Sequence, residues 1–246
     1  MQETEKGPKN NVILIAQAIL VVGVIIAGAI LLTGSKPPSG NSETGANGLK
    51  KVAAESSLPS IDPVSAADQT LGEKKAPITL LMYEDFQCPF CERFFNDAEK
   101  TIRSKYIPSG KVLFVYRDYP IIGPESIRAA EAARCAGEQE KFWQYHDYLY
   151  ERQGKIENGG TFSDPNLKAF AKDLGLDTNS FNQCLDSNKY EKAVTDSFES
   201  GNRAMPKPSD RFTPKGFIMK DGKVVDIIQG AQPSAVVSSQ IDAALK

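Results

Sequence analysis

Apolar and polar residues change rhythm three times along this chain. Residues 12–32 read VILIAQAILVVGVIIAGAILL, 21 positions without a charge, interrupted only by Gln17. At the helical rise this run would extend roughly 31 Å, the thickness of a bilayer's hydrocarbon core. A cleaved signal peptide is the rival, but its apolar region usually runs about 7–15 residues ahead of a small-x-small site. Here Ala27 and Ala29 lie inside the run. The pattern therefore predicts a tail over residues 1–11 and a single transmembrane anchor over 12–33. Lys6, Lys9 and the amino terminus face Lys36, Lys50 and Lys51 across the run, which leans the charge rule toward a cytoplasmic tail. Residues 34–74, with SKPPSGNSETGANG near their start, lack a sustained apolar period and read as a flexible linker.

From residue 75 onward the rhythm is that of a folded domain. Residues 77–83, PITLLMY, form a nearly continuous apolar run suited to a strand covered on both faces. EDFQCPFC follows at once, and Cys91, Phe94, Phe95, Ala98 and Ile102 then recur at helical spacing up to Pro108. Residues 111–116, KVLFVY, are a second strand, completing a βαβ unit with parallel strands. Residues 124–203 carry only helical patterns, an all-helical insertion. Strands return at 216–219 and 224–228 around Asp221-Gly222, a hairpin turn, and a last helix starts at Pro233. The order βαβ, helical block, ββα describes an α/β domain over residues 75–246.

Composition narrows the chemistry. With 246 residues, 41% of them hydrophobic and 24% charged, the chain can bury a full core. Lys and Arg total 29 against 31 acidic residues, so no excess of positive charge recommends a nucleic-acid partner. A single histidine, His146, excludes histidine-rich metal sites and disfavours a Ser-His-Asp hydrolase; it reads as a packed or surface helix residue. Four cysteines remain.

Cys88 and Cys91 lie where a strand ends and a helix begins, with Cys88 near unpaired N–H groups and the positive end of the helix dipole. That location favours thiolate, and a Cys-x-x-Cys pair there can close a disulfide within one turn. Pro89 suits the first helical turn. A metal clip or a pair of buried thiols is the alternative, yet for a metal Cys135 and Cys184 lack the paired spacing that would complete four ligands. No metal is expected.

EDFQCPFC after a strand, KFWQYHDYLY within the insertion, and Thr213-Pro214 before the hairpin together resemble the DsbA-like branch of the thioredoxin-fold thiol:disulfide oxidoreductases. The resemblance spans residues 69–246 and implies a thioredoxin-like fold with a helical insertion. It implies that Cys88 is the attacking thiol, Cys91 the buried resolving thiol, and Pro214 a cis proline facing them. The carbonyl and N–H of Thr213 would then be free to pair with an extended substrate segment. Phe212 and Lys215 flank Thr213-Pro214 where most members carry Gly and a small residue, which alters the expected groove. Phe90 stands where the strongest oxidants of the family have histidine; unable to donate a hydrogen bond, it implies a weaker oxidant.

The resemblance also bears on the second cysteine pair. Part of the family carries a structural disulfide that Cys135 and Cys184 would match; free buried thiols are the alternative. Glu84 and Asp85 are candidates to relay the proton of Cys91, against a plain role at a solvated strand end or helix cap.

The expected protein is thus a membrane-anchored, extracytoplasmic oxidoreductase that donates its Cys88-Cys91 disulfide to reduced exported polypeptides without a bound cofactor. The family implies reoxidation by a quinone-linked membrane protein, DsbB-like or vitamin K epoxide reductase-like. A reductase or isomerase, a polypeptide-binding module and a thiol metal carrier are the competing functions.

Overall fold

The structure, a computed structural model, describes residues 59–246. The expected tail, the anchor and the linker as far as residue 58 lie outside the described residues. Among the described residues no helix is long and apolar enough to cross a membrane.

Five strands form one sheet. They are β1 (Gln69–Leu71), β2 (Ile78–Glu84), β3 (Val112–Asp118), β4 (Lys215–Lys220) and β5 (Lys223–Gln229), in the spatial order β1-β3-β2-β4-β5. β2 and β3 are parallel, as the βαβ pattern predicts, and the other neighbours are antiparallel. β1 departs from the sequence reading, which leaves residues 69–71 in the linker. Its three residues pair with Phe114, Val115 and Tyr116, too short a run to show a period of its own.

The central position of β2 explains its composition. Ile78, Leu80 and Met82 enter one apolar cluster, while Leu81 and Tyr83 enter another on the opposite face. Successive side chains of a strand point to opposite faces, so a strand covered twice must be apolar throughout. The first cluster is roofed by the helices that follow the strands: α1 (Pro89–Phe94), α2 (Lys100–Lys105), the insertion helices α3 (Pro124–Gly137), α4 (Phe142–Glu151), α5 (Asp164–Asp173) and α6 (Thr178–Asp186), and the last helix α8 (Ser234–Ala244). α7 (Glu191–Ala204) ends against the second face through Ala204.

Two local features depart from the helical reading. The helix after Cys88 is not uniform: a π-helical turn, Phe95–Glu99, separates α1 from α2. Phe95, Ala98 and Glu99 are all buried there, so the widened turn directs an acidic side chain inward. Pro233 is the residue capping α8, one position before its start. The hairpin turn uses positive φ at Asp221 (51°) and Gly222 (74°), the pairing a tight two-residue turn requires.

The insertion is tied to the sheet. Buried Arg134 of α3 meets Asp118 at the end of β3, Nε to Oδ2 at 2.6 Å. Cys135 of α3 and Cys184 of α6 form a disulfide, S–S 2.06 Å, closing a separation of 49 residues.

Candidate functional site: a dithiol at the start of α1

β2 ends at Glu84, and four residues later Cys88 caps the first turn of α1 with extended backbone (φ −73°, ψ 118°). Its carbonyl accepts the N–H groups of Cys91 and Glu92, the first bonds of the helix. Pro89, whose missing N–H costs nothing at this position, and Phe90 are exposed. Phe90 lies under the Arg93 guanidinium, 5.0 Å from its ring centroid.

The two thiols differ sharply. Cys91 is fully enclosed and Cys88 is 5% exposed. Cys88 is held down to about 6, chiefly by a hydrogen bond from Cys91; burial opposes this, while Thr213 and the N–H groups of Cys91 and Phe90 assist. Cys91 is pushed well above the ordinary thiol range, first by burial, then by its bond to Cys88 and the nearby charge of Glu84. One sulfur is suited to be thiolate and the other to remain a thiol.

Thr213-Pro214 is a cis peptide and faces this pair. The Thr213 carbonyl, expected to be free for a substrate strand, accepts the Cys88 thiol at 3.4 Å. A protonated thiol in a nearly closed site needs an acceptor, and this carbonyl supplies it. Lys215 is buried beside it, with Nζ 4.6 Å from the Phe212 centroid and 3.3 Å from Gln229 Oε1. Gln153, just beyond α4, donates to the carbonyls of Phe86 (2.7 Å) and Cys88 (3.1 Å), so the insertion grips the backbone of the motif.

Glu84 and Asp85 are both 1% exposed, which removes the reading of a solvated strand end. Their roles separate. Asp85 Oδ1 accepts the N–H of Gln87, and Oδ2 accepts those of Ile121 and Ile122, so its carboxylate ties the motif to the loop after β3. Glu84 Oε2 accepts the Tyr150 hydroxyl at 2.8 Å, while Oε1 has no partner. Burial first, then the charge of Glu99, pushes Glu84 well above the usual carboxylate range.

The sequence reading misses Glu99 and underuses His146. Glu99 is four residues after Phe95 and three before Ile102, both on the buried stripe, and that spacing was the available signal. His146 is fully buried among Phe86, Phe95, Tyr116, Phe142, Trp143 and Tyr150. Ligand atoms of Glu84, Glu99 and His146 fall within 4.8 Å of one another. A divalent cation fits poorly: the Arg103 guanidinium already stands 2.6 Å from Glu99 Oε1, and all three residues are sealed from solvent.

The strand-helix dithiol, the cis-Pro214 loop and the five-stranded sheet with its helical insertion are those of a thioredoxin-like fold. A family profile described as "Thioredoxin" matches residues 65–243. The chain belongs to that family. BdbD from Bacillus subtilis, in its oxidised crystal structure, shares the fold at 22% identity with a TM-score of 0.66, covering 76% of this chain and 98% of that one. Among curated relatives, the Bacillus cereus protein named "Probable disulfide bond formation protein D" is 32% identical over 92 residues, 37% of this chain and 43% of that protein. The protein named "Na(+)/H(+) antiporter NhaA 1" from Salinispora arenicola is 26% identical over 176 residues, 71% of this chain but 26% of the relative. The chain thus spans about a quarter of the length of one of these relatives and under half of the other.

Proposed function

We propose that this protein is an extracytoplasmic thiol:disulfide oxidoreductase, held at the membrane by residues 12–33, that passes a Cys88-Cys91 disulfide to reduced exported polypeptides. The observation that carries this reading is the asymmetry of the pair: a Cys88 thiol near 6 beside a buried Cys91 pushed far the other way. A substrate thiolate attacks Cys88 Sγ, the Cys88-Cys91 bond breaks, and its electron pair leaves on Cys91, which takes up a proton. A second substrate thiolate then attacks the substrate sulfur of the mixed disulfide and expels Cys88. A thiol with a pKa near 6 leaves readily as thiolate at neutral pH.

Thr213 and Pro214 border the sulfur that reacts, and the Thr213 carbonyl is released once Cys88 no longer holds a thiol proton. An extended substrate segment could then pair there as an added strand. Two electrons accumulate on the dithiol per cycle and leave through a quinone-linked membrane protein of DsbB-like or vitamin K epoxide reductase-like type. The relative named for disulfide bond formation supports the same direction.

The test is refolding of a reduced multi-disulfide protein by the oxidised full chain. Fast net loss of substrate thiols, abolished by Cys88→Ala, is expected. Rescue only of scrambled disulfides would make it an isomerase, and full activity in Cys88→Ala would refute the assignment.

A further inference from the structure

The exchange just proposed leaves a difficulty inside the fold. Cys91 must gain a proton when it leaves as thiolate and lose one when the disulfide re-forms, yet it has no exposed surface. Within the same enclosed region, the buried polar atoms that lack hydrogen-bond partners include Glu84 Oε1, Glu99 Oε2 and His146 Nε2. They come from β2, the π-helical turn and α4, and uncompensated burial of this kind is costly in a purely structural cluster.

The cluster reaches the surface through His146. His146 Nε2 lies 3.8 Å from Glu99 Oε1, while Nδ1 on the other side of the ring lies 2.9 Å from Asp147 Oδ1. The Asp147 side chain is 36% exposed. Nδ1 also has Arg103 Nη2 at 3.3 Å, so this nitrogen meets an acceptor and a donor and is satisfied with or without its proton. Both neutral tautomers of the ring are therefore accommodated, which a group that accepts a proton on one nitrogen and releases it from the other requires.

We infer that Glu84, Glu99 and His146 form an internal proton conduit, serving the proposed exchange by carrying protons between buried Cys91 and the surface at Asp147. In the oxidising direction Glu84 hands its carboxyl proton to the Cys91 sulfur as the disulfide breaks. Glu99 and the His146 ring then refill Glu84 with a proton from solvent. The net step is substrate thiolate plus disulfide plus one proton, giving mixed disulfide plus Cys91 thiol. The reverse path carries the proton out when Cys91 attacks.

Other ionisable groups around the path are already committed or shielded. Asp118 pairs with Arg134, and Arg103 forks between Glu99 and Asp147. Tyr150 is spent on Glu84, and Tyr116 is pushed well above its usual range by burial and by the charge of Asp118. Burial likewise raises Glu84 and Glu99, which favours their protonated forms relative to an exposed carboxylate. His146 acts through Glu84 and does not touch the sulfurs in this scheme.

His146 is the chain's only histidine, so 15N-histidine labelling of the full-length protein yields one imidazole to follow. Its tautomer signals should differ between the oxidised and reduced forms, because the redox state changes the proton inventory of Glu84. His146→Phe, which keeps a ring in the aromatic cage, should slow thiol attack on the disulfide form about tenfold and enlarge the solvent isotope effect. Asp147→Asn at the surface should move both in the same direction, less strongly. Identical histidine signals in the two redox states would overturn the conduit. So would wild-type rates at every pH in a folded His146→Phe or in Asp147→Asn. Failure of the oxidoreductase reading is separately visible: exchange would then be independent of Cys88, whereas failure of the conduit alone leaves Cys88-dependent exchange intact.

Discussion

The Cys88 sulfur lies 3.4 Å from the carbonyl oxygen of Thr213, a residue 125 positions further along the chain. Neither residue makes the site alone. β2 delivers the cysteine at its end, and the loop entering β4, the antiparallel neighbour of β2, delivers the carbonyl. Reactivity is therefore sensitive to anything that shifts these two strands relative to each other.

The depressed Cys88 thiol has a consequence for pH. Alkylation of the reduced protein should follow a midpoint near 6 and belong to Cys88. Because this folded-state value lies below that of an unfolded cysteine, near 8.5, the group stabilises the reduced protein increasingly as pH rises between the two values. That contribution is lost as pH falls through about 6. Stability of the reduced form relative to the oxidised form should thus rise from pH 6 to 8.5, at up to about 1.4 kcal/mol per unit. Denaturation of both forms across this window would show it; a flat difference would contradict it.

Glu84 and Asp85 are adjacent in sequence but should fail differently. Glu84→Gln removes the transferable proton and should slow the step that protonates Cys91 by roughly 10²-fold, with little change in fold. Asp85→Asn loses charge-assisted acceptance of three backbone N–H groups and should destabilise by about 1–3 kcal/mol, with exchange in the folded fraction less affected. Paired stopped-flow and denaturation measurements distinguish the two.

These acids show where reading a sequence stops. The strand, the dithiol and the helix after it were legible because each follows from local pattern: a continuous apolar run, a spacing of three, a proline suited to a first turn. β1 was not, since Gln69, Thr70 and Leu71 carry no alternation long enough to detect. The π-helical turn was equally hidden, because Phe95, Ala98 and Glu99 read as ordinary helix until their burial is seen. The meeting of Glu99 with His146, 47 positions apart, is set by how the insertion packs over α1. Burial of Asp85 likewise depends on two N–H groups from a loop 36 and 37 positions later.

The Cys135-Cys184 disulfide ties two insertion helices away from the reactive pair. By the chain-entropy account, a loop closed across 49 positions stabilises by about 4 kcal/mol. Replacing both residues with Ala should lower stability by up to that amount in denaturant titrations. Cys88-dependent exchange should persist in the protein that remains folded.

Phe90 offers a way to retune the site. It is 52% exposed, so Phe90→His should cost little packing while bringing a hydrogen-bond donor to the Cys88 thiolate. The Cys88 midpoint should drop below about 6 and the couple should become more oxidising, each 30 mV corresponding to about 1.4 kcal/mol. Equilibration against glutathione measures the change.

The central claim is that Cys88 is the sulfur that exchanges with substrate, and trapping tests it most directly. A full-length Cys91→Ala variant, incubated with a polypeptide bearing a single activated cysteine and mapped without reductant, should accumulate a mixed disulfide at Cys88 in near-stoichiometric yield. No adduct, or one on Cys135 or Cys184, would contradict the account.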